Sequence, residues 1–314
     1  MNRQLKIKLF IYHKLIFLKN QLHILLWFSI NKYAKNYKID GTKNLARSTL
    51  YKDKKNYPYF QDSVINFQEL IKSQVLKKES KSYYKFGDGD YYFLHGIPTG
   101  SAKPGNRALS KKLSEADLAK FRDGANKCDY YMCELENFNN NLFKNTIYGR
   151  TVNFPAEIAY GLIANRWLTK NFSGQIGIIG ADAKLELIAK LLEHNEYKEY
   201  LGINNFRDFI KIPQKYACDD LESRIADISA QIRNSNSEIF LIGIGHLKSG
   251  LLHLLPKVKN AVYLDVGSGI DALAGLIDRE RPYFGKWTNF RIHNEFDYTK
   301  LDLLQFNSGK IKNL

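Results

Sequence analysis

Two aspartates one residue apart, Asp88 and Asp90, have the types and spacing to do chemistry. They lie in the stretch Lys85-Phe86-Gly87-Asp88-Gly89-Asp90, directly after an apolar segment at 82–86 that is typical of a strand. Glycine beside each carboxylate lets the backbone turn sharply, so both side chains can face one hard cation such as Mn²⁺ or Mg²⁺. The same spacing fits a plain Asp-Gly hairpin turn between two aromatic runs. The stretch therefore predicts either a divalent-cation site or a structural turn.

The elements that must position this stretch alternate between apolar strands and helices. Near-continuous apolar runs at 175–180, 238–245 and 261–267 are typical of buried parallel strands, and helical patterns separate them. A shorter strand is predicted at 130–135, and helices are predicted at 61–76 and 155–169. A parallel sheet covered by helices on both faces accounts for this alternation. The sequence therefore predicts an α/β, Rossmann-like fold with a mainly parallel sheet.

Glycines and polar residues follow the ends of these strands. In such sheets ligands bind beyond the carboxyl ends of the strands, so one crevice can collect these residues. Backbone N–H groups at glycine turns and helix starts suit a diphosphate, although each turn alone also fits ordinary packing. The candidate residues for binding a phosphorylated donor are Lys85, Gly87, Asp88, Gly89, Gly180, Asp182, Gly245, Asp265, Gly267 and Ser268.

His246 and Asp271 are the candidate catalytic residues. Each follows a predicted strand, and either could act as a general base in the crevice. The structural alternatives are a turn histidine for His246 and an N-cap for Asp271 or Ser268, the latter worth about 1 kcal/mol. The loop at 95–106 is predicted to be either a binding rim or a mobile lid. The sequence alone does not choose between these roles.

Charge and cysteine content limit the class of partner. The chain of 314 residues carries a formal net charge of +15, which favours anionic partners such as phosphorylated substrates or an anionic membrane surface. Zinc-finger spacing and an RNA-binding signature are both missing from the sequence, so nucleic acid is not expected as a partner. Cys128, Cys133 and Cys218 show neither a Cys-x-x-Cys pair nor a histidine at ligand spacing, which indicates a reducing, cytoplasmic compartment. The spacing of Cys128 and Cys133 fits either small buried side chains or a local disulfide or metal pair.

Residues 1–59 are predicted to form a basic amphipathic helix and a polar connector ahead of a catalytic domain at 60–314. Lysines and histidines interrupt the apolar residues between 5 and 30, so no uncharged stretch of about 18 residues could span a bilayer. Such a helix either lies in the plane of an anionic leaflet or packs on the domain. The predicted location is cytoplasmic, with peripheral binding to the inner face of the membrane in the first case.

A resemblance narrows the function. The stretch at 85–90 resembles the Arg-Phe-Gly-Asp-Gly-Glu signature of bacterial glycosyltransferases with the GT-D fold, and Leu264-Asp265-Val266-Gly267 is similar to that family's late Asp-Ile-Gly element. The similarity covers roughly 83–275. It implies metal-dependent transfer of a sugar from a nucleotide-diphospho-sugar to a hydroxyl of a glycan, lipid-linked or protein-linked acceptor. The metal, Mn²⁺ or Mg²⁺, would then be held by Asp88 and Asp90.

The sequence departs from the family pattern at three positions. Asp90 stands in place of glutamate, Lys85 in place of arginine, and Ser268 where histidine often follows the Asp-Ile-Gly element. Two other functions therefore stay open: a Rossmann-like transferase with a nucleotide or methyl donor, and a non-catalytic membrane-associated binding protein. Neither needs Asp88 and Asp90 paired on a metal, so the placement of these two carboxylates discriminates between the functions.

Overall fold

The computed structural model describes residues 57–134 and 137–276, together with residues 287, 290–292 and 296–297. The predicted N-terminal helix and nearly all of its connector lie outside the described residues. Within them, no helix is both long enough and apolar enough to cross a membrane.

One seven-stranded sheet organises the chain, in the spatial order β3-β2-β1-β7-β6-β4-β5. Every pairing in it is parallel, which confirms the predicted α/β, Rossmann-like fold. The hairpin alternative for 85–90 is wrong, because β1 pairs with β2 and β7 rather than with the residues that follow it. The strands are β1 Lys81–Phe86, β2 Tyr130–Cys133, β3 Phe154–Pro155, β4 Ile176–Ala181, β5 Asp208–Ile212, β6 Ile239–Gly243 and β7 Val262–Asp265.

Twelve α-helices, some of a single turn, are found among the described residues, and helices pack on both faces of the sheet. Three 3₁₀ turns, Gly100–Ala102, Gly245–Leu247 and Leu252–Leu254, join them. The helices are α1 Tyr57–Leu76, α2 Asp88–Leu94, α3 Glu115–Ala125, α4 Asn137–Lys144, α5 Ala156–Ala164, α6 Trp167–Asn171, α7 Asp182–Leu191, α8 Asn195–Leu201, α9 Leu221–Arg233, α10 Lys248–Leu251, α11 Leu255–Val258 and α12 Gly269–Leu273.

The direction of each crossover decides which face a helix covers. Connections that move toward β3 carry α3, α9 and α10 across one face, where Phe121, Ile228 and Leu251 are buried. Connections that move toward β5 carry α5 and α7 across the other face, where Ile158 and Ile188 are buried. Crossover connections that run in opposite directions over opposite faces of the sheet have the same handedness, as connections between parallel strands require. All seven strands therefore end at the same edge of the sheet, where their loops converge.

Two helices, the one predicted at 155–169 and the one that the sequence predicts from the turn at 246–250 to Leu255, are shorter than the sequence indicates. The helix predicted at 155–169 is two helices, α5 and α6, because Arg166 adopts a left-handed conformation with φ 62° between them. The Arg166 guanidinium stacks 4.4 Å from the centre of the Tyr200 ring and donates to the Tyr200 carbonyl, which holds this break in place. The segment after β6 is likewise a series of single turns, from Gly245 to Val258, rather than one continuous helix.

Candidate functional site

The strand β1 leads directly into the helix α2. Gly87 is the N-cap of α2, and its backbone N–H donates to Asp90 Oδ2 at 2.9 Å, which is the return half of a capping box. Asp88 and Asp90 therefore lie in the first turn of a helix and not in the predicted turn between strands. On a helix, residues two apart point in different directions, whereas in an extended segment they share a side. This is why the two carboxylates separate.

Asp90 points inward and Asp88 outward. Asp90 is 5% exposed, and its Oδ2 lies 3.1 Å from Nζ of the buried Lys248. Asp88 is exposed, and its Oδ1 accepts from the Gly89 N–H at 2.7 Å. The Lys248 ammonium therefore already occupies the position from which a cation would contact Asp90. A metal ion shared by both carboxylates does not fit this arrangement, whereas Asp88 alone can contact an ion on the surface.

Lys248 follows β6 and contacts residues at the ends of β1 and β7. Its Nζ lies 2.7 Å from Asp265 Oδ2 at the end of β7 and donates to the Lys85 carbonyl of β1. It also lies 4.6 Å above the centre of the Tyr84 ring. Asp265 also accepts two backbone hydrogen bonds: the Lys85 N–H donates to Oδ2 at 3.1 Å, and the Gly267 N–H donates to Oδ1 at 3.0 Å. A buried ammonium balanced by two carboxylates is thus built into the sheet edge.

The charge of Asp90 follows from these neighbours. Burial alone would raise the pKa of the Asp90 carboxyl, because it disfavours the ionised form. The Lys248 ammonium, the contact with His246 and the charge of Lys85 outweigh burial and hold that pKa well below its ordinary value. Asp90 is therefore a fixed negative charge at neutral pH.

His246 lies between the Asp90 carboxylate and the Ser101 hydroxyl group. Its Nδ1 lies 3.5 Å from Asp90 Oδ1, and its Nε2 lies 2.7 Å from Ser101 Oγ. The imidazole stacks on the Phe93 ring with 4.6 Å between the ring centres. Because ionised Asp90 favours the proton on Nδ1, Nε2 is left as the acceptor that faces the hydroxyl. His246 is therefore oriented as a general base, one of the two roles predicted for it.

Ser101 is the site residue that the sequence does not reveal. It lies in the 3₁₀ turn Gly100–Ala102 of the predicted rim or lid, and 145 residues separate it from His246. A Ser101–His246–Asp90 chain has the order of groups seen around nucleophilic serines. The only local signal is a serine in a glycine-rich loop, and this is too common to identify a partner histidine.

Lys85, Gly267 and Ser268 lie together where β1 and β7 end. The Lys85 ammonium is 5.1 Å from the centre of the Tyr160 ring, and a Cβ at Gly267 would lie 3.2 Å from it. Gly267 has φ +49°, a conformation that favours glycine, and both Gly267 and Ser268 are half-buried. This corner is therefore partly open and carries the Lys85 ammonium.

Three predicted residues have structural roles instead. Gly180 is buried, and a Cβ on it would lie 3.2 Å from Leu185, so its backbone packs under α7 rather than facing a ligand. Asp182 is the first residue of α7, and its Oδ1 accepts from the N–H of the next residue, Ala183, at 2.7 Å. Asp271 forms a buried ion pair with Lys184. Since α12 packs on the opposite face from the His246 ring, Asp271 is not brought to the predicted catalytic crevice.

A cavity of about 90 Å³ lies beyond His246, at the carboxyl ends of β4, β5 and β6. Gly245 lines it and is exposed, with φ +58° and no atom within 4 Å of where a Cβ would be. Ser101, Arg107 and Gln214 supply polar groups to the lining. Among the described residues, no group of three or more His, Cys, Asp and Glu side chains is arranged to hold a metal ion.

No protein-family model, curated protein or solved structure matches this chain. The function is therefore inferred from the geometry of the site and from the motif at 85–90.

Proposed function

We propose that the chain is a glycosyltransferase that transfers a sugar from a nucleotide-diphospho-sugar to an acceptor hydroxyl. The observation that carries the proposal is the pair of His246 and Asp90, whose acceptor nitrogen faces a hydroxyl at 2.7 Å. The pair lies at the carboxyl edge of a parallel sheet, the edge at which nucleotide ligands bind in this fold class. The resemblance at 85–90 to GT-D glycosyltransferases supports the same reaction, but the paired-carboxylate metal site that it implies is reduced here to Asp88, because Asp90 is bound to Lys248.

In the proposed reaction His246 is the general base. Its Nε2 takes the proton of the acceptor hydroxyl while the hydroxyl oxygen forms a bond to the anomeric carbon of the donor. The bond from that carbon to the diphosphate oxygen breaks, and its electron pair leaves with the nucleoside diphosphate. Asp90 fixes the imidazole and stabilises the imidazolium, and Lys248 keeps Asp90 ionised. A single displacement of this kind inverts the anomeric centre.

The donor diphosphate is assigned to the corner at β1 and β7. The Lys85 ammonium supplies positive charge there, and a Cβ at Gly87 would meet no atom within 4 Å, which leaves the backbone open to approach. Mg²⁺ and Mn²⁺ are commonly bound by one or two carboxylates together with substrate phosphates, and exposed Asp88 is the carboxylate that fits this role. Bound there, the ion would neutralise charge on the leaving diphosphate.

The test has two stages on the full-length protein. A panel of nucleotide sugars is first screened for thermal stabilisation with and without Mn²⁺ or Mg²⁺. Turnover of the stabilising donor, by transfer or by hydrolysis, is then compared for wild type, His246→Gln and His253→Gln. His253 is the matched control because it lies in the same segment but packs against Gly124 of α3, away from Asp90.

We expect His246→Gln to lower turnover about 10²- to 10⁴-fold, the usual contribution of a general base, with donor binding retained. The control His253→Gln should turn over like wild type. Full activity in His246→Gln, or a panel in which no nucleotide sugar stabilises the protein, would refute the proposal.

The 2.7 Å contact between Ser101 and His246 also favours a second function. Ser101 Oγ could attack an ester carbonyl while His246 takes its proton and then returns it to the leaving alcohol. Ser101→Ala separates the two functions. A nucleophilic serine would lose at least about 10³-fold in esterase activity and its labelling by a fluorophosphonate. The proposed transferase would change by less than about tenfold, since Ser101 does not form or break a bond in it.

A further inference from the structure

The side chain of Gln214 has a buried amide that forms no hydrogen bond within the described part of the chain. Its Oε1 and Nε2 are both shielded from solvent, and neither has a hydrogen-bond partner among the described residues. An unpaired buried polar group of this kind carries a free-energy cost, so it is normally matched by water or by a ligand. Gln214 lines the same cavity as His246. A ligand in the cavity could engage this amide, which supplies donor and acceptor groups, once the Gln214 side chain turns toward it.

The cavity is large enough for a small ring. Its volume of about 90 Å³ is several times the roughly 10–15 Å³ that one water molecule needs. Apolar side chains of Ile212 and Ile244 line it together with the polar groups. A pyranose ring has both properties that such a lining recognises, since its C–H faces are apolar and its edge carries adjacent hydroxyls. The cavity therefore fits one monosaccharide unit.

Backbone hydrogen bonds fix the walls of the cavity without a ligand. Tyr216 donates to the Arg107 carbonyl at 2.7 Å, and Cys218 donates to the Ala108 carbonyl at 3.2 Å. The Ser110 N–H donates to Asp219 Oδ1 at 2.9 Å. These bonds join the loop after α2 to the loop after β5. The cavity is therefore preorganised rather than opened by binding.

Ser101 marks where a reacting hydroxyl would lie. Its Oγ is at the rim of the cavity and is hydrogen-bonded to His246 Nε2, the atom that would accept the proton. A sugar ring in the cavity could place one hydroxyl at this point in place of Ser101 Oγ. The same ring could place two adjacent hydroxyls on the Gln214 amide, one accepting and one donating.

We propose that this cavity is the acceptor subsite and that it binds the terminal sugar ring of the acceptor. Gln214 holds two adjacent hydroxyls of the ring, and the hydroxyl to be glycosylated lies at His246. The inference rests on the proposed function for its chemistry, but binding of a sugar in the cavity can be measured without any donor. It makes the acceptor a glycan or glycoconjugate that ends in a sugar ring with adjacent hydroxyls.

The binding experiment uses full-length protein labelled with ¹⁵N in its glutamine side chains. Methyl α- and β-glycosides of the common hexoses are added at millimolar concentration, and the four common nucleosides are added separately. Gln214→Leu assigns the Gln214 amide signal and removes both polar atoms at similar volume. Gln231→Leu is the matched control, because the Gln231 amide bonds the Lys211 backbone on the outside of β5. Ala217→Leu narrows the cavity and leaves Gln214 itself unchanged.

At least one glycoside should shift the Gln214 amide signal of the wild-type protein. Its affinity should fall at least about tenfold in Gln214→Leu and in Ala217→Leu, as expected for loss of a paired amide contact, and should be unchanged in Gln231→Leu. Two variants and a wild-type signal are used so that poor folding of one variant does not decide the result. With donor present, Gln214→Leu should raise the acceptor KM and leave donor affinity unchanged.

A shift of the Gln214 signal by nucleosides but not by glycosides would overturn the inference and assign the cavity to the donor base. No shift by either class would also overturn it. Glycoside binding at Gln214 in a protein that binds no nucleotide sugar would support the subsite while refuting the proposed transferase. The two proposals can therefore fail separately.

Discussion

Replacing Lys248 by methionine tests the arrangement on which the site depends. Methionine has a similar length and no charge, so Lys248→Met removes the ammonium without leaving a large cavity. The side chains of Lys248, Asp90 and Asp265 are 6%, 7% and 2% exposed. The variant would leave two carboxylates buried without their cation. Breaking a buried ion pair in this way costs about 3–5 kcal/mol. We expect the free energy of unfolding at pH 7 to fall by this amount.

The loss of stability in Lys248→Met should depend on pH. In the wild type the pKa of Asp90 is depressed in the folded state, so its contribution to stability is present above the unfolded pKa of 3.8 and is lost as pH falls through the folded value. Without Lys248 the folded pKa of Asp90 should be higher than in the wild type, so the variant should be relieved by protonation at a higher pH. The gap between variant and wild type should therefore shrink as the pH falls toward and below 3.8.

Urea denaturation at several pH values measures both effects. Lys120→Met is the matched control, because Lys120 forms an exposed ion pair with Glu222, and such pairs contribute about 0–1 kcal/mol. The double variant Lys248→Met/Asp90→Asn should recover part of the loss at pH 7, since one of the two buried charges is removed. A loss below about 1 kcal/mol in Lys248→Met, or a gap that widens on acidification, would refute the reasoning.

Three further predictions follow. Asp88→Asn should weaken metal-dependent donor binding in a donor titration and change the free energy of unfolding by no more than about 0.5 kcal/mol. Asp90→Asn should lower the free energy of unfolding, measured by urea denaturation, by about 3 kcal/mol and should also lower turnover. Burial, helped by Lys127 and Lys257, lowers the pKa of His253 from 6.5 to about 4, so stability should be constant above pH 6.5, fall toward pH 4, and lose this dependence in His253→Gln. Full-length protein should pellet with anionic vesicles more than a chain lacking residues 1–35, because each cation near the surface contributes about 1 kcal/mol to binding. High salt should reduce this difference. Equal pelleting of the two proteins would show that the segment does not bind membranes.

The central strands were predictable from the sequence because of where they lie. In β4, β6 and β7 every residue is buried, so both alternating sides of each strand are apolar, except at Asp265, which ends β7 and pairs with Lys248. The edge strand β5 lacks such a continuous apolar run, because Lys211 is exposed and Asp208 is half-buried. The strand β3 has two residues and carries no periodicity at all. Local patterns therefore reveal the interior of the sheet better than its borders.

The site was predictable only in part, because its partners are distant in the chain. The contact of His246 with Asp90 spans 156 residues, and that of Lys248 with Lys85 spans 163. Only the insertion of β7 between β1 and β6 brings these segments together. The sequence could indicate that strand ends meet at one edge. It could not indicate that a lysine from the turn after β6 would be buried against an aspartate after β1.

The separation of Asp88 from Asp90 also explains how one short motif can serve two purposes. Had the segment stayed extended, both carboxylates would share a side and could bind one metal, but His246 would then compete with that metal for Asp90. Because the helix begins at Asp88, the first carboxylate faces the surface and the second is buried against Lys248 and His246. The outer aspartate can then contact a cation brought by a diphosphate, and the inner one orients the base. Glutamate at position 90 would extend the carboxylate by one methylene toward Lys248, so we infer that the shorter aspartate suits the inner role.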